Sequence, residues 1–249
     1  MAILHKSARG RIDFLDERFY TIDGIHFYPS VTTVLEVLPK GAGYYQWLKD
    51  VGNNADIVMR RAAESGSKVH GAIEQYLQGR ELRWADKKGH TIYSLEEWQM
   101  INRFVEFWQS YRPKLLAVEF NMISDKFLLG GTLDIICYIN NELWIIDTKT
   151  SNQVYDSHAL QLAAYAMMWN DSHEEKVKRI GVMHLKSQSR GKDKTGKKIQ
   201  GEGWRLHEFE EPLNSLWDTF CDLRRIWDRQ NHNYKPKNLS LPDRLKLTV

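Results

Sequence analysis

Residues 131–150 read GTLDIICYINNELWIIDTKT, and this stretch decides the fold. Two runs rich in Ile, Leu, Tyr and Trp, residues 131–139 and 142–150, flank the dipeptide Asn140-Asn141. Such residues favour strands, and asparagine tolerates the positive φ angles of a two-residue hairpin turn. The stretch therefore predicts an antiparallel β-hairpin.

The predicted turn also determines which residues face each other. Counting outward from the turn places Asp134 opposite Asp147. Like charges opposite each other destabilise a sheet, and residues 143–146 (LWII) are apolar on both faces, so the two acids would sit at the edge of a dry core. Because side chains alternate along a strand, Lys149 lies on the same face as Asp147 and can neutralise one of the two negative charges.

The remaining negative charge suits a divalent cation. Mg²⁺ and similar hard ions take oxygen ligands, and they usually bind through one or two carboxylates together with waters and a substrate phosphate. A cation there, with an ammonium group beside it, can lower the pKa of a bound water and stabilise charge on phosphorus. These residues indicate phosphodiester hydrolysis. The alternative is a solvated strand end, because the tripeptide Asp-x-Lys is common by itself.

Five short motifs occur in order along the chain. They are GSKVH at residues 66–70, VE at 118–119, GGTLD at 130–134, DTKTS at 147–151 and QLAAY at 161–165. Together they resemble the motifs of the PD-(D/E)XK nuclease superfamily, and within it the RecB-type exonucleases, which include CRISPR-associated RecB-type nucleases, mitochondrial genome maintenance exonucleases and many phage exonucleases. The resemblance implies an α/β fold with a restriction-endonuclease-like core, in which helices flank a central mixed β-sheet.

The resemblance also implies a metal site. The ligands it implies are the side chains of His70, Asp134 and Asp147 and the carbonyl of Thr148. Lys149 would position or activate the attacking water as a catalytic residue. The expected ion is Mg²⁺ or Mn²⁺. Members with an iron-sulfur cluster use four cysteines, whereas this chain has two, so no such cluster is expected.

Glu119 is a further candidate catalytic residue on the strand that precedes the hairpin. It would approach the metal directly or through a water. A salt bridge from Glu119 to Lys149 or to an arginine is the open alternative.

The DNA contacts are expected at two places. Gln161 and Tyr165 would orient the site and contact the nucleic acid, with Thr150 and Ser151 as further contacts. A second place is the segment 188–201, whose candidate residues are Lys192, Lys194, Lys197 and Lys198. Such a run of charge either forms a solvated loop or holds a phosphate backbone without base specificity.

Much of the remaining chain has apolar residues at helical spacing. This spacing predicts helices at about 54–64 and 67–78, separated at Ser65-Gly66, and a helix over 213–230. Ser94 followed by Glu97 predicts a capping box at the start of another helix. We expect one domain over residues 1–249, with a helical N-terminal part at about 30–112 and a catalytic core at about 113–230.

Composition is compatible with this reading. A chain of 249 residues with 42% hydrophobic content can bury one good core. A net charge of +3 does not by itself indicate a nucleic-acid partner, but the pI of about 8.7 permits one. Two cysteines fit a reducing compartment, and no run reaches transmembrane length, so we expect a cytoplasmic protein, in the host cytoplasm if phage-encoded, with no membrane partner.

The sequence therefore predicts a metal-dependent DNA exonuclease of phage type that acts in recombination or DNA processing. DNA is the expected partner, with a single-strand annealing protein as a further candidate. Two alternatives stay open: a structure-specific or restriction-type endonuclease, and a non-catalytic nucleic-acid-binding protein on the same scaffold. Strand polarity, processivity and oligomeric state do not follow from the sequence.

Overall fold

The computed structural model describes residues 5–6, 10–14, 17–186, 190–192, 195, 198–200 and 203–236. The strands are β1 (His5–Lys6), β2 (Arg11–Phe14), β3 (Glu17–Tyr20), β4 (Tyr28–Pro29), β5 (Lys114–Ser124), β6 (Leu129–Ile139), β7 (Glu142–Lys149), β8 (Arg179–His184), β9 (Arg190–Lys192), β10 (Lys198–Gln200) and β11 (Arg205–Glu208). The helices are α1 (Val31–Leu35), α2 (Ala42–Val51), α3 (Ala55–Leu77), α4 (Leu95–Tyr111), α5 (Asp156–Ser172) and α6 (Leu213–Gln230), and a short 3-10 turn, Gly52–Asn54, joins α2 to α3.

A mixed five-stranded sheet forms the centre, in the order β11-β8-β7-β6-β5. Strands β5, β6 and β7 are antiparallel neighbours along the chain, whereas β7 and β8 are parallel. A parallel pair needs a long crossover, and α5 supplies it. Helices flank this sheet, so the predicted fold class, a mixed sheet between helices, is confirmed.

The predicted hairpin is confirmed in its turn, and its register is confirmed as far as Ile135 opposite Ile146. Asn140 and Asn141 have φ angles of 52° and 65°, as a two-residue turn that suits the twist of the strands requires. The register runs from Ile139 opposite Glu142 to Ile135 opposite Ile146. Asp134 and Asp147 are therefore the first residues beyond the last pair.

Two apolar cores lie on opposite faces of the sheet. On one face, α1, α5 and α6 pack against residues such as Leu143 and Ile145. On the other face, α3 and α4 pack against residues such as Trp144 and Ile146. Neighbouring residues of β7 point into different cores, and residues 143–146 are therefore all apolar, as their sequence predicts.

Helix α5 is buried on most of its circumference. Ten of its seventeen residues are buried, including several alanines that allow a close approach to the sheet. A helix that is apolar all round belongs in a core rather than at a surface. Its position brings Gln161 and Tyr165 beside the ends of β6 and β7.

The predicted break at Ser65-Gly66 is wrong, because α3 runs without interruption from Ala55 to Leu77. Gly66 is buried, and a Cβ atom added to it would lie 3.1 Å from Oγ1 of Thr150. Glycine costs a helix about 1 kcal/mol relative to alanine. Here it allows α3 to pass close to the chain that follows Lys149.

Other predicted elements agree with the structure. Helix α6 spans residues 213–230, and Ser94 and Glu97 form the predicted capping box at the start of α4. Within the basic segment, β9 and β10 pair with Lys192 opposite Lys198. Lys194 and Lys197 lie outside the described residues. In the described part of the chain, no helix is long and apolar enough to span a membrane.

Candidate active site

The candidate site lies where the register between β6 and β7 ends. The backbone N–H of Thr148 donates a hydrogen bond of 2.8 Å to Oδ2 of Asp134. Leu133 and Ile136 pack into the same core, although residues three apart on a regular strand point to opposite faces. The alternation of β6 is therefore interrupted around Asp134, and the two predicted acids no longer form a simple cross-strand pair.

Glu119 carries a matching irregularity on β5. Its neighbours Val118 and Phe120 pair with Ile135 and Leu133 of β6, so Glu119 lies next to Asp134 across the strands. The φ angle of Glu119 is 48°, which an L-residue with a long side chain rarely adopts in a strand. Such strain persists where surrounding structure enforces it, and it is concentrated at functional sites.

Three potential metal ligands meet at this point. Donor atoms of His70, Glu119 and Asp134 all lie within 4.8 Å of one another. His70 projects from α3, and its Nδ1 atom lies 3.3 Å from Oδ2 of Asp134. Two carboxylates and an imidazole match the oxygen and nitrogen ligands that divalent cations such as Mn²⁺ accept.

The electrostatics of the group also fit a cation. Burial, together with the charge of Asp134, raises the pKa of Glu119 to about 7. Burial and the charge of Asp147 likewise raise the pKa of Asp134, although His70 and Lys149 act against this. The site thus concentrates more negative charge than its own side chains neutralise, and a bound cation would relieve the repulsion.

Asp147 lies beside this group and has different partners. Its Oδ1 accepts a hydrogen bond of 3.0 Å from Nε2 of Gln161, and its Oδ2 lies 2.7 Å from Nζ of Lys149. Burial lowers the pKa of Lys149, but the charges of Asp147 and Asp134 raise it more, so the net pKa lies above the ordinary value. Lys149 therefore remains an ammonium group at neutral pH.

Gln161 links the catalytic candidates of β7. Besides its bond to Asp147, its Oε1 accepts a hydrogen bond of 3.4 Å from Nζ of Lys149. Tyr165 lies one helical turn further along α5 and also hydrogen-bonds Gln161. Gln161 and Tyr165 are only 7% and 3% exposed, so their contacts lie within the protein, and little of either surface is open to a nucleic acid.

The packing of Tyr165 explains why position 131, in the GGTLD motif, is a glycine. A Cβ atom at this position would lie 2.3 Å from Cε1 of Tyr165, well inside the van der Waals distance. Gly131 thus gives the ring of Tyr165 room to pack against β6.

We expect Gly131→Ala to displace the Tyr165 ring and lower the free energy of unfolding by about 1–3 kcal/mol. Chemical denaturation measures this change. Gly71→Ala on α3 is the control, because a Cβ atom there meets no atom within 4 Å. Equal stability of the Gly131 variant and the unchanged protein would show that this contact does not constrain the site.

Two histidines near Lys149 were not among the predicted site residues. His158 is partly buried, and burial followed by the charge of Lys149 lowers its pKa to about 4, so it is neutral. His184 is the register partner of Lys149, and its Nε2 lies 2.7 Å from the carbonyl oxygen of Ser151. No local sequence signal marks His184, since its role depends on the pairing of β7 with β8.

One comparison with known proteins identifies the family of the chain. The model of the PD-(D/E)XK nuclease superfamily matches residues 44–236. The chain therefore belongs to this superfamily.

Solved structures give weaker matches. The crystal structure of SSO0001 is similar at 15% sequence identity and a TM-score of 0.30, and the alignment covers 56% of this chain and 59% of that one. The chain thus spans less than two thirds of that solved structure. No curated protein matches the chain.

Proposed function

We propose that this protein is a divalent-metal-dependent DNA exonuclease of the RecB-type branch, acting in phage-type recombination or DNA processing. The observation that carries the proposal is the meeting of His70, Glu119 and Asp134 within 4.8 Å, directly beside the ion pair of Asp147 and Lys149. Metal ligands next to a fixed ammonium group are the groups that phosphodiester hydrolysis requires. The exonuclease assignment rests on the resemblance of the five motifs.

The metal is proposed to be held by His70, Glu119 and Asp134, with Asp147 and the carbonyl of Thr148 as the remaining expected ligands. When bound, Mg²⁺ or Mn²⁺ would lower the pKa of a water and stabilise charge on the phosphate. The bond from the Thr148 N–H fixes the carboxylate of Asp134 in its orientation. Preorganised ligands of this kind need little rearrangement when the substrate arrives.

Lys149 is proposed to act as a positioned cation. Its ammonium group is held by Asp147 and Gln161, at 2.7 Å and 3.4 Å, and cannot swing freely. Its raised pKa favours the charged form, which orients the attacking water and stabilises negative charge on phosphorus rather than accepting a proton. Gln161 and Tyr165 are proposed to keep this arrangement in place.

DNA is proposed to approach along the partly exposed residues Thr150 and Ser151, which directly follow Lys149. The basic segment, with Lys192, Lys194, Lys197 and Lys198, is proposed as a second phosphate contact. Contacts of this type give salt-dependent affinity without base specificity.

The experiment that tests the function compares linear with covalently closed DNA. The protein and Asp147→Ala are incubated with Mg²⁺, Mn²⁺ or a chelator, and Asp222→Ala serves as the control because Asp222 is 69% exposed on α6. The proposal expects the unchanged protein and the control to degrade linear DNA from its ends only when metal is present. Nicking of circles would support the endonuclease, and equal lack of cleavage by all three proteins would support a binding protein.

Metal affinity should depend on pH near neutrality. Since the pKa of Glu119 is raised to about 7 by burial and by Asp134, protons compete with metal as the pH falls below 7. We expect the apparent affinity for Mn²⁺ to weaken by up to about tenfold for each pH unit lost below 7, since one proton is displaced.

Isothermal titration between pH 6 and pH 8, in buffers of different ionisation enthalpy, measures this proton release. Glu119→Gln should bind Mn²⁺ more weakly and with less dependence on pH. An affinity that is the same at both ends of this range would contradict a ligand role for Glu119.

A further inference from the structure

The catalytic end of β7 is held mainly from one side. Beyond Ile146 the described register with β6 ends, whereas the register with β8 continues through Asp147 opposite Val182 to Lys149 opposite His184. The register with β6 thus ends beside the proposed metal site. The end of this register also leaves the position of Lys149 dependent on β8.

The end of β8 makes two contacts to the chain around Lys149. The N–H of Leu185 donates to the carbonyl of Lys149 at 2.9 Å. The Nε2 of His184 donates to the carbonyl of Ser151 at 2.7 Å. The second contact reaches Ser151, which lies two residues past the end of β7.

This end of β8 is itself anchored. Nη1 of Arg103, on α4, donates a hydrogen bond of 2.8 Å to the carbonyl of Leu185. On the other side of the segment, Thr150 lies against α3 at Gly66, where an added Cβ atom would approach Oγ1 of Thr150 to 3.1 Å. The chain after Lys149 is thus held between β8 and α3.

We propose that His184 is a positioning residue, which holds the segment Lys149–Ser151 through the Ser151 carbonyl and thereby keeps the Lys149 ammonium group aligned with Asp147. This inference rests on the proposed function of Lys149 in phosphodiester hydrolysis. His184 does not touch the reacting atoms in this account. It acts through the backbone.

Burial makes a purely packing role of His184 a poor explanation. The residue is 5% exposed, and placing an imidazole there costs desolvation that an apolar side chain would avoid. The cost is offset by the bond to Ser151, which a leucine or a phenylalanine cannot make. Among the described residues, His184 is not part of the group that can hold a metal, so metal binding does not account for it either.

Two amide substitutions separate this role from packing. In His184→Gln the side-chain amide reaches about as far as Nε2 and keeps the bond to Ser151, whereas in His184→Asn it ends about one bond short and loses it. His207→Gln is the control, because His207 is a partly exposed neighbour whose ring centroid lies 5.9 Å from that of His184.

We expect His184→Asn to lower the single-turnover rate of DNA cleavage by about 10- to 100-fold, as the loss of a supporting contact behind an active-site group does. The affinity for Mn²⁺ should stay nearly unchanged, since His184 is not in the group of residues proposed to hold the metal. His184→Gln should recover most of the rate. Equal loss in both variants, or a loss that only follows their melting temperatures, would overturn the proposal.

Hydrogen exchange of the metal-free protein tests the inference without a measurement of activity. Peptides covering residues 149–153 should exchange faster in His184→Asn than in the unchanged protein, and His184→Gln should resemble the unchanged protein. Unchanged exchange in His184→Asn would overturn the positioning role even if the nuclease is active. If neither the unchanged protein nor the two variants cleave DNA while the expected exchange differences are seen, the proposed nuclease function is wrong. The role of His184 in holding Ser151 is then still supported.

Discussion

Asp134→Asn is expected to lower metal-dependent DNA cleavage by about 10³-fold or more while making the metal-free protein more stable. The loss of activity follows because Asp134 is the carboxylate shared by the metal group and by the Thr148 N–H. Asparagine can still accept the bond from Thr148, so the fold is kept. The charge that attracts the cation is removed.

The gain in stability follows from the sign of the pKa shift. Burial and Asp147 raise the pKa of Asp134 in the folded protein, so the fold disfavours its charged form. The metal-free protein therefore gains stability as the pH falls through the raised pKa of Asp134. As the pH rises to neutral, Asp134 becomes charged and this stability is lost. Removing the charge abolishes that loss at neutral pH.

Thermal unfolding in the presence of a chelator, and again with Mn²⁺, measures both effects. The unchanged protein should gain stability with Mn²⁺, whereas Asp134→Asn should start higher with the chelator and gain little. Asp171→Asn, next to Lys126 at the surface, is a suitable control. A variant that is less stable without metal, or that still cleaves DNA, would contradict this account of Asp134.

Lys149→Met is expected to lower the single-turnover rate by about 10²- to 10⁴-fold while leaving the metal affinity nearly unchanged. The ammonium group is not a metal ligand, and its partners are Asp147 and Gln161. Its loss should also destabilise the metal-free protein, because the buried charge of Asp147 then lacks its cation. This change in stability is opposite in direction to that of Asp134→Asn.

Single-turnover cleavage and Mn²⁺ titration of the same preparation separate the two effects of Lys149→Met. Lys126→Met is the control, since Lys126 is 64% exposed and lies away from the site. If the variant lost metal binding together with activity, Lys149 would have a structural role in the metal site. If it kept its rate, the proposed mechanism would be wrong.

The central hairpin was predictable because its determinants are local. Asn140 and Asn141 select the turn, and strand residues alternate between two faces, so the register follows from counting. The helix over 213–230 and the capping box at Ser94 were predictable for the same reason, because short-range spacing determines them. Of these elements, the hairpin carries Asp134, Asp147 and Lys149.

The detailed site was not predictable because contacts distant in sequence shape it. Counting along an ideal hairpin makes Asp134 and Asp147 direct partners, but the observed register ends one pair before them. Asp134 lies with His70 and Glu119, and Asp147 pairs with Lys149. The strained backbone of Glu119 has no signal in its local sequence. Gly66 was predicted to break a helix because the contact that explains it is not local: Thr150, a residue far along the chain, approaches α3 at this glycine.

The most direct test of the central claim is a crystal structure of the protein in Mn²⁺, with the ion located by its anomalous scattering. We predict an anomalous peak bonded to side-chain donor atoms of His70, Glu119 and Asp134, at about the 2.1 Å typical of small divalent ions. Absence of a peak at these three residues at millimolar Mn²⁺, or a peak bound elsewhere while the three side chains stay apart, would contradict it.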